Sequence, residues 1–255
     1  MKITFFGTGT SQGVPVIGCK CGACMSNDSK DKRLRTSALI EICGKKILVD
    51  AGPDFRQQLL RAGISSLDAI LLTHEHKDHT GGLDDVRALN YISGKPVEIY
   101  AEKRVLRSIR CEYPYAFADN PYPGVPEMNL NAIDGDAPFM VGDIEIVPVR
   151  VLHHKLPVLG FRVADLVYIT DANRIDPAEM RKIYGCKVLV LNALRREKHL
   201  SHFSLSQALE ISRASEAGQT YLTHISHQMG LHEEVAKELP GNVKLAYDCL
   251  TLEIP

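Results

Sequence analysis

The densest chemistry in the chain is the run Thr73-His-Glu-His-Lys-Asp-His-Thr80, which gathers three imidazoles, His74, His76 and His79, and the carboxylate of Asp78 within six residues. Imidazole with carboxylate is a ligand set that Zn²⁺, Mn²⁺ or Fe²⁺ accepts. A solvated polar loop would account for any one of these histidines. Four candidate ligands at this density, directly after the apolar Ile70-Leu71-Leu72, favour a metal centre instead. A second group, Cys19-Lys-Cys21-Gly-Ala-Cys24, puts three of the seven cysteines in one tight loop. A tetrahedral structural zinc needs a fourth protein ligand, usually Cys or His, and spacing alone does not name it. Three reduced thiols on a surface loop would be a liability that a zinc ion removes. Cys43, Cys111, Cys186 and Cys249 stand singly among apolar neighbours and read as small buried hydrophobes without function. Seven cysteines are too sparse for a disulfide scaffold of this size.

These groups need rigid elements behind them. Short β-type runs recur at Lys2 to Phe6, Ala38 to Ile42, Lys46 to Val49, Ala69 to Leu72 and Val97 to Tyr100. Helical periodicity falls between them at Asp54 to Ala62, Leu83 to Ile92 and Lys103 to Cys111. The second half repeats the style, with strands at Ile144 to Val151, Leu159 to Val163, Leu166 to Thr170, Val188 to Leu191 and Tyr221 to Thr223. Ser204-Leu-Ser-Gln207 reads as a capping box opening a helix to about Ala217, with Leu205, Ala208, Leu209 and Ser212 on one face. A last helix is expected near Leu231 to Leu239. Two halves of buried strands with accompanying helices predict an α/β fold, two packed sheets with helices outside, an αββα sandwich. The aperiodic stretch from Tyr113 to Asn131, rich in Pro and Asn, predicts a long loop near the site.

With 255 residues and 45% hydrophobic content, a single domain over 1–255 is expected, the cysteine loop at 19–24 being an insertion. Thirty basic against thirty-one acidic side chains give no global pull on a phosphate backbone, so nucleic acid is not the default partner. The chain shows no signal-peptide pattern and no apolar run of membrane-spanning length, which leads to an expectation of a cytoplasmic protein without a membrane partner.

His-x-His-x-Asp-His over His74 to His79 resembles the signature of the metallo-β-lactamase superfamily, whose fold is the αββα sandwich. The resemblance extends along nearly the whole chain, through the opening turn Gly7-Thr-Gly9 and Asp50 in Leu48-Val-Asp-Ala-Gly52. It implies that His74, His76 and His153 hold one catalytic metal, that Asp78, His79 and His224 hold the other, and that Asp171 bridges them. It selects His153 over His154, because related sequences place the ligand shortly before a stretch like Lys155-Leu-Pro157 and a pair like Gly160-Phe161. Adjacent strand residues face opposite sides, so only one of the two points inward. Asp50 reads as a group that orients ligands or the following turn. Asp248 after Tyr247 reads as a solvated turn residue and stays outside the candidate set.

The Gly7-Thr-Gly9 turn, Val14-Pro15 and the cysteine loop together resemble the phosphoribosyl cyclic phosphodiesterase of the carbon-phosphorus lyase pathway. That likeness implies His227 as the fourth ligand of a structural zinc with Cys19, Cys21 and Cys24. It also implies catalytic parts for Asp78 and for His202, with His199 a competitor for the latter. A histidine at a helix start is also a common cap or surface residue. The reaction so implied is hydrolysis of a small, cyclic or open phosphodiester by a hydroxide held between two divalent cations, Zn²⁺ or Mn²⁺, with His202 assisting the leaving oxygen. A tRNA 3′-processing endonuclease shares the ligand set, but the chain shows no long basic or Gly-Pro-rich arm. A glyoxalase-type thioesterase fits less well. A non-hydrolytic maturation protein like the pyrroloquinoline quinone pathway member, which also carries a cysteine-rich zinc loop, is the rival of another class. A homodimer is left open.

Overall fold

A computed structural model describes residues 1–255. Along the chain run β1 (Lys2–Gly7), α1 (Gly22–Met25), β2 (Ser37–Ile42), β3 (Lys45–Val49), α2 (Phe55–Ala62), β4 (Ala69–Leu71), α3 (Lys77–Thr80), α4 (Arg87–Ser93), β5 (Val97–Glu102), α5 (Lys103–Glu112) and β6 (Met128–Ile133). The second half holds β7 (Phe139–Val141), β8 (Ile144–His153), β9 (Leu156–Val163), β10 (Leu166–Ile169), β11 (Arg174–Ile175), α6 (Pro177–Ile183), β12 (Val188–Asn192), α7 (Leu205–Ser215), β13 (Gln219–Thr223), α8 (His232–Glu238), β14 (Val243–Leu245) and β15 (Thr251–Glu253).

The strands form two sheets, in the orders β15-β1-β2-β3-β4-β5-β6 and β11-β8-β9-β10-β12-β13-β14, with β7 beside β8. Strands β3 to β6 run parallel, as do β10, β12, β13 and β14. Parallel strands covered on both faces should be apolar throughout, and Ala69-Ile-Leu71 and Val188-Leu-Val-Leu-Asn192 are buried at every position. Between the sheets lies one core, containing Phe5, Ile40, Leu71, Phe161, Tyr168 and Val190. Each sheet carries a second apolar layer on its outer face: Leu48, Ile70, Phe55 and Leu106 on the first, and Leu189, Leu191, Ala208 and Val235 on the second. The result is the expected αββα layering.

Helix α7 opens with the anticipated capping box, Ser204 Oγ accepting from the Gln207 backbone while the Gln207 side chain accepts from the Ser204 backbone. Leu205, Ala208 and Ser212 form its buried face. The region 113–131 is only partly a loop. Its end begins β6, which pairs in parallel with β5, Val97 opposite Met128 through Glu102 opposite Ile133. This edge strand carries Asn129 and Asn131, both donating to Glu98, so its polar composition concealed it. The segment Leu83 to Ile92 divides into a 3₁₀ turn, Leu83–Val86, followed by α4. Of the four isolated cysteines only Cys186 is buried, whereas Cys43, Cys111 and Cys249 are exposed. No helix is long and apolar enough to cross a membrane.

Candidate metal centre

The ligand-type side chains come from the ends of strands, where a chain leaving the sheet has both to turn and to aim a side chain. His74, His76, Asp78 and His79 follow β4, His153 ends β8, Asp171 follows β10, and His224 follows β13. Two of these turns demand unusual backbone: Asp171 and His224 sit at φ of 56° and 55°, in the left-handed region that costs a non-glycine residue energy and clusters at functional sites. Asp50, after β3, does the same at φ 61°. Its turn is sewn to the histidine loop, Ala51 N donating to His79 O at 2.8 Å and Gly82 N to Ala51 O at 2.9 Å. Gly52 allows this approach, since a Cβ there would overlap the Asp78 carbonyl oxygen.

Asp78, His79, Asp171 and His224 each present a ligand atom within 4.8 Å of the others, and Asp171 also belongs to a second such group with His153 and His202. His74 and His76 border that second group. The His74 ring packs 4.3 Å from His79 and 5.8 Å from His153, and the His76 ring lies 5.2 Å from His153, but their nitrogens stand outside the tight cluster. His153 Nδ1 meets the Ser201 carbonyl at 2.9 Å, which leaves its Nε2 free. His154 instead turns away at φ 57° and is exposed.

Asp50 is fully buried and orients the loop rather than joining the cluster. Its Oδ1 accepts from Thr73 N at 2.9 Å, and its Oδ2 accepts from Thr73 Oγ1 at 3.0 Å and lies 2.7 Å from His79 Nδ1. With one His79 proton held on Nδ1 by that carboxylate, Nε2 faces Asp78 and Asp171 oxygens, each 3.2 Å away, where it needs a second proton or a metal ion. A lone pair against two carboxylates is repulsive unless a cation lies between them. Nε2 of His74 and of His79 are both buried without a hydrogen-bond partner. The residues present therefore fit a divalent metal pair. Electrostatics agree. Burial alone would lower His79, but Asp171, Asp50 and Asp78 outweigh it and hold the imidazole well above its ordinary range. Burial would raise Asp171, but His224 and His79 hold its carboxyl well below the usual range. A site with this field takes up positive charge, a proton in the bare chain or a metal ion.

His202 is buried and brings its Nε2 to 3.0 Å from Asp171 Oδ1. His199 is its neighbour rather than its substitute, with the two Nδ1 atoms 3.1 Å apart. The loop cysteines and His227 also converge. Cys19 and Cys21 sulfurs both lie 3.3 Å from His227 Nδ1, and all four ligand atoms fall within 4.8 Å of one another. The Cys24 backbone and His227 bring the Cys21 thiol down to about 6, and burial pushes Cys24 up to about 11.

Several supporting residues escaped sequence reasoning. Asp248 is not solvated: it is largely buried and accepts from Thr8 N at 3.0 Å, Thr8 Oγ1 at 2.8 Å and Leu34 N at 2.9 Å, fixing the Gly7-Thr-Gly9 turn. Asn192 pins the Asp171 turn through both Ala172 backbone groups. Thr73 and Thr170 brace Asp50 and Asp171 respectively. A readable signal for them existed, since Thr73-His74, Thr170-Asp171 and Thr223-His224 all place threonine directly before a ligand-type residue at a strand end.

Comparison with known proteins identifies the family to which this fold belongs. The family described as Beta-lactamase superfamily domain matches residues 45–225. A crystal structure of a new diphosphatase from the PhnP family superposes with a TM-score of 0.93 at 38% identity, over 100% of this chain and 98% of that one. An octanoyltransferase of Porphyromonas gingivalis (strain ATCC BAA-308 / W83) is 44% identical over 252 residues, 98% of this chain, but this chain spans only 51% of that protein's length. A ribonuclease Z of Methanopyrus kandleri is 25% identical over 276 residues, covering 89% of this chain and 93% of that protein. The chain belongs to the metallo-β-lactamase superfamily of hydrolases.

Proposed function

We propose that the chain is a metal-dependent phosphodiesterase acting on a small phosphodiester, cyclic or open. The observation that carries the reading is the sharing of Asp171 between two converging ligand groups, which suits a carboxylate between two cations. His74, His76 and His153 would hold one ion and Asp78, His79 and His224 the other, with Asp171 common to both. Zn²⁺ and Mn²⁺ both accept such donors. When bound, the pair supplies an activated water near neutral pH and neutralises phosphate oxygens. The chain's own part is to hold and deliver a proton. His202 Nε2 keeps its hydrogen against Asp171 Oδ1 and is placed to pass it to the departing ester oxygen. Asp78, partly accessible beside His79, would face the approaching substrate phosphate through the metal it helps to hold. Cys19, Cys21, Cys24 and His227 would hold a structural zinc, which would anchor the turn three residues beyond His224.

The resemblance to the phosphoribosyl cyclic phosphodiesterase and the likeness to a PhnP-family diphosphatase support a small phosphate ester as substrate. Kinship to a ribonuclease Z keeps RNA in the assay as a second reading. Octanoyl transfer is named for a protein about twice as long and serves as a control reaction. The test is turnover of bis-p-nitrophenyl phosphate, a ribose 1,2-cyclic phosphate, 2′,3′-cyclic nucleotides and a tRNA precursor, with Mn²⁺ or Zn²⁺ and a His76→Ala control. Metal-dependent cleavage of the small esters, lost in the control, supports the reading; cleavage of the precursor alone replaces it with the endonuclease.

A further inference from the structure

In His74-Glu-His-Lys-Asp-His79 the two residues between ligands, Glu75 and Lys77, both turn outward, and both are met by α5. Arg104 in the first turn of that helix ion-pairs with Glu75, and Glu112 at its end ion-pairs with Lys77. Tyr113, just beyond the helix, donates from its hydroxyl to the Thr80 carbonyl at 3.0 Å. The helix therefore grips the histidine loop at its beginning, middle and end.

Arg104 also reaches a second ligand-bearing element. Its Nη2 donates to the Pro157 carbonyl at 2.7 Å. Pro157 lies on β9 opposite Leu152, one register step from the pair His153–Leu156. The same guanidinium thus joins the loop carrying His74 and His76 to the hairpin carrying His153. A backbone hydrogen bond, Leu159 N to Thr73 O at 3.1 Å, and the packing of the His74 and His76 rings on His153 join the same two elements. A planar fork can satisfy a carboxylate and a carbonyl together in fixed geometry, which lysine cannot.

We infer that Arg104, acting with Glu75, is a positioning residue that sets the separation between His153 and the His74–His76 pair, and so tunes metal affinity at that one position. The inference rests on the two-metal reading above. Arg104 and Glu75 keep 35% and 25% of their side-chain surface exposed, and a partly solvated pair of this kind contributes little to global stability, so its effect should appear at the metal and not in the melting temperature. Groups that orient ligands from behind commonly govern affinity by about 10–100-fold.

The experiment is stepwise titration of full-length, metal-stripped protein with Co²⁺ against a competing chelator. Thiolate-to-cobalt absorption distinguishes the cysteine position from the two histidine-carboxylate positions. Arg104→Gln and Glu75→Gln should each weaken one histidine-carboxylate position by about 10-fold or more, leaving the other and the cysteine position at wild-type affinity. The double variant should be no weaker than the worse single, because the pair acts as one unit. Arg104→Lys should recover part of the loss. Melting temperatures should stay within about 3 °C, the shift expected for roughly 1 kcal/mol at this chain length. Unchanged affinity at both positions, multiplicative losses in the double variant, or parallel weakening of all three positions with a fall in melting temperature would each overturn the inference. A wild-type protein that binds cobalt only through thiolates would remove the two-metal reading itself and this inference with it, a failure distinguishable from the others.

Discussion

Asp50 Oδ2 lies 2.7 Å from His79 Nδ1, and both side chains are completely buried. The carboxylate thereby decides which nitrogen of His79 faces Asp78 and Asp171. Asp50→Asn keeps the size but no longer matches all its donors: its amide oxygen can accept from one of them, while the amide nitrogen faces another donor. Occupancy at the Asp78–His79–His224 position should fall about 10–100-fold, with the cysteine position unchanged. Metal analysis of the purified variant after dialysis against chelator checks this; retention of the wild-type content would show that Asp50 only shapes the turn.

His202 is expected to act on the leaving group. His202→Gln should lower kcat for alkyl esters by about 10²–10⁴-fold with metal content intact. An activated p-nitrophenyl ester departs without a proton and should lose far less. Equal losses on both substrates would assign His202 to metal or substrate binding.

The cysteine centre is expected to be structural and to communicate along the short path His224 to His227. Cys24→Ser should release one zinc equivalent to chelator and lower the melting temperature by roughly 5–10 °C. Thermal denaturation with and without chelator reads this, and a variant indifferent to chelator yet identical to wild type would remove zinc from the loop.

His232 offers a pH test away from the metals. Arg33, almost fully buried, donates to the Thr8 hydroxyl and the Ala246 carbonyl and lies 3.1 Å from His232 Nδ1, which must stay unprotonated to accept from it. Burial first, then Arg33 and Lys30, pushes His232 down to about 4. The unfolded chain takes up this proton as pH falls through about 6.5, the folded chain only near 4. Between those values the unfolded state binds more protons, so stability rises with pH and is lost on acidification, by up to about 3 kcal/mol. Denaturant unfolding of wild type and His232→Gln at pH 7.5 and 4.5 should show the gap between them narrowing in acid. A pH-independent gap would contradict the assignment.

Much of this candidate site was legible in sequence because its ligand-type residues sit at strand ends, where apolar runs such as Ile70-Leu71-Leu72 point directly at them. The buried strands and the capped helix α7 were legible for the same reason, since their periodicity is set by what they bury. Supporting contacts were hidden because they come from far along the chain. Asp248 reaches Thr8 and Leu34 only after the sheet has closed through β15, and nothing local marks a lone aspartate as buried. Strand β6 was missed because an edge strand has one face free for asparagines, which removes the apolar pattern. The exposed Cys43, Cys111 and Cys249 show the converse error, in which an apolar neighbourhood in sequence did not become one in space.

The most direct test of the central claim is phosphodiester turnover by the metal-stripped protein as metal is returned one equivalent at a time, compared with Asp171→Ala. Activity on bis-p-nitrophenyl phosphate should stay near zero until the histidine-carboxylate positions fill, then rise to its maximum, and should be absent in Asp171→Ala at any metal level. Full turnover by the metal-stripped protein, or by Asp171→Ala, would contradict a hydrolase built on two cations sharing that carboxylate.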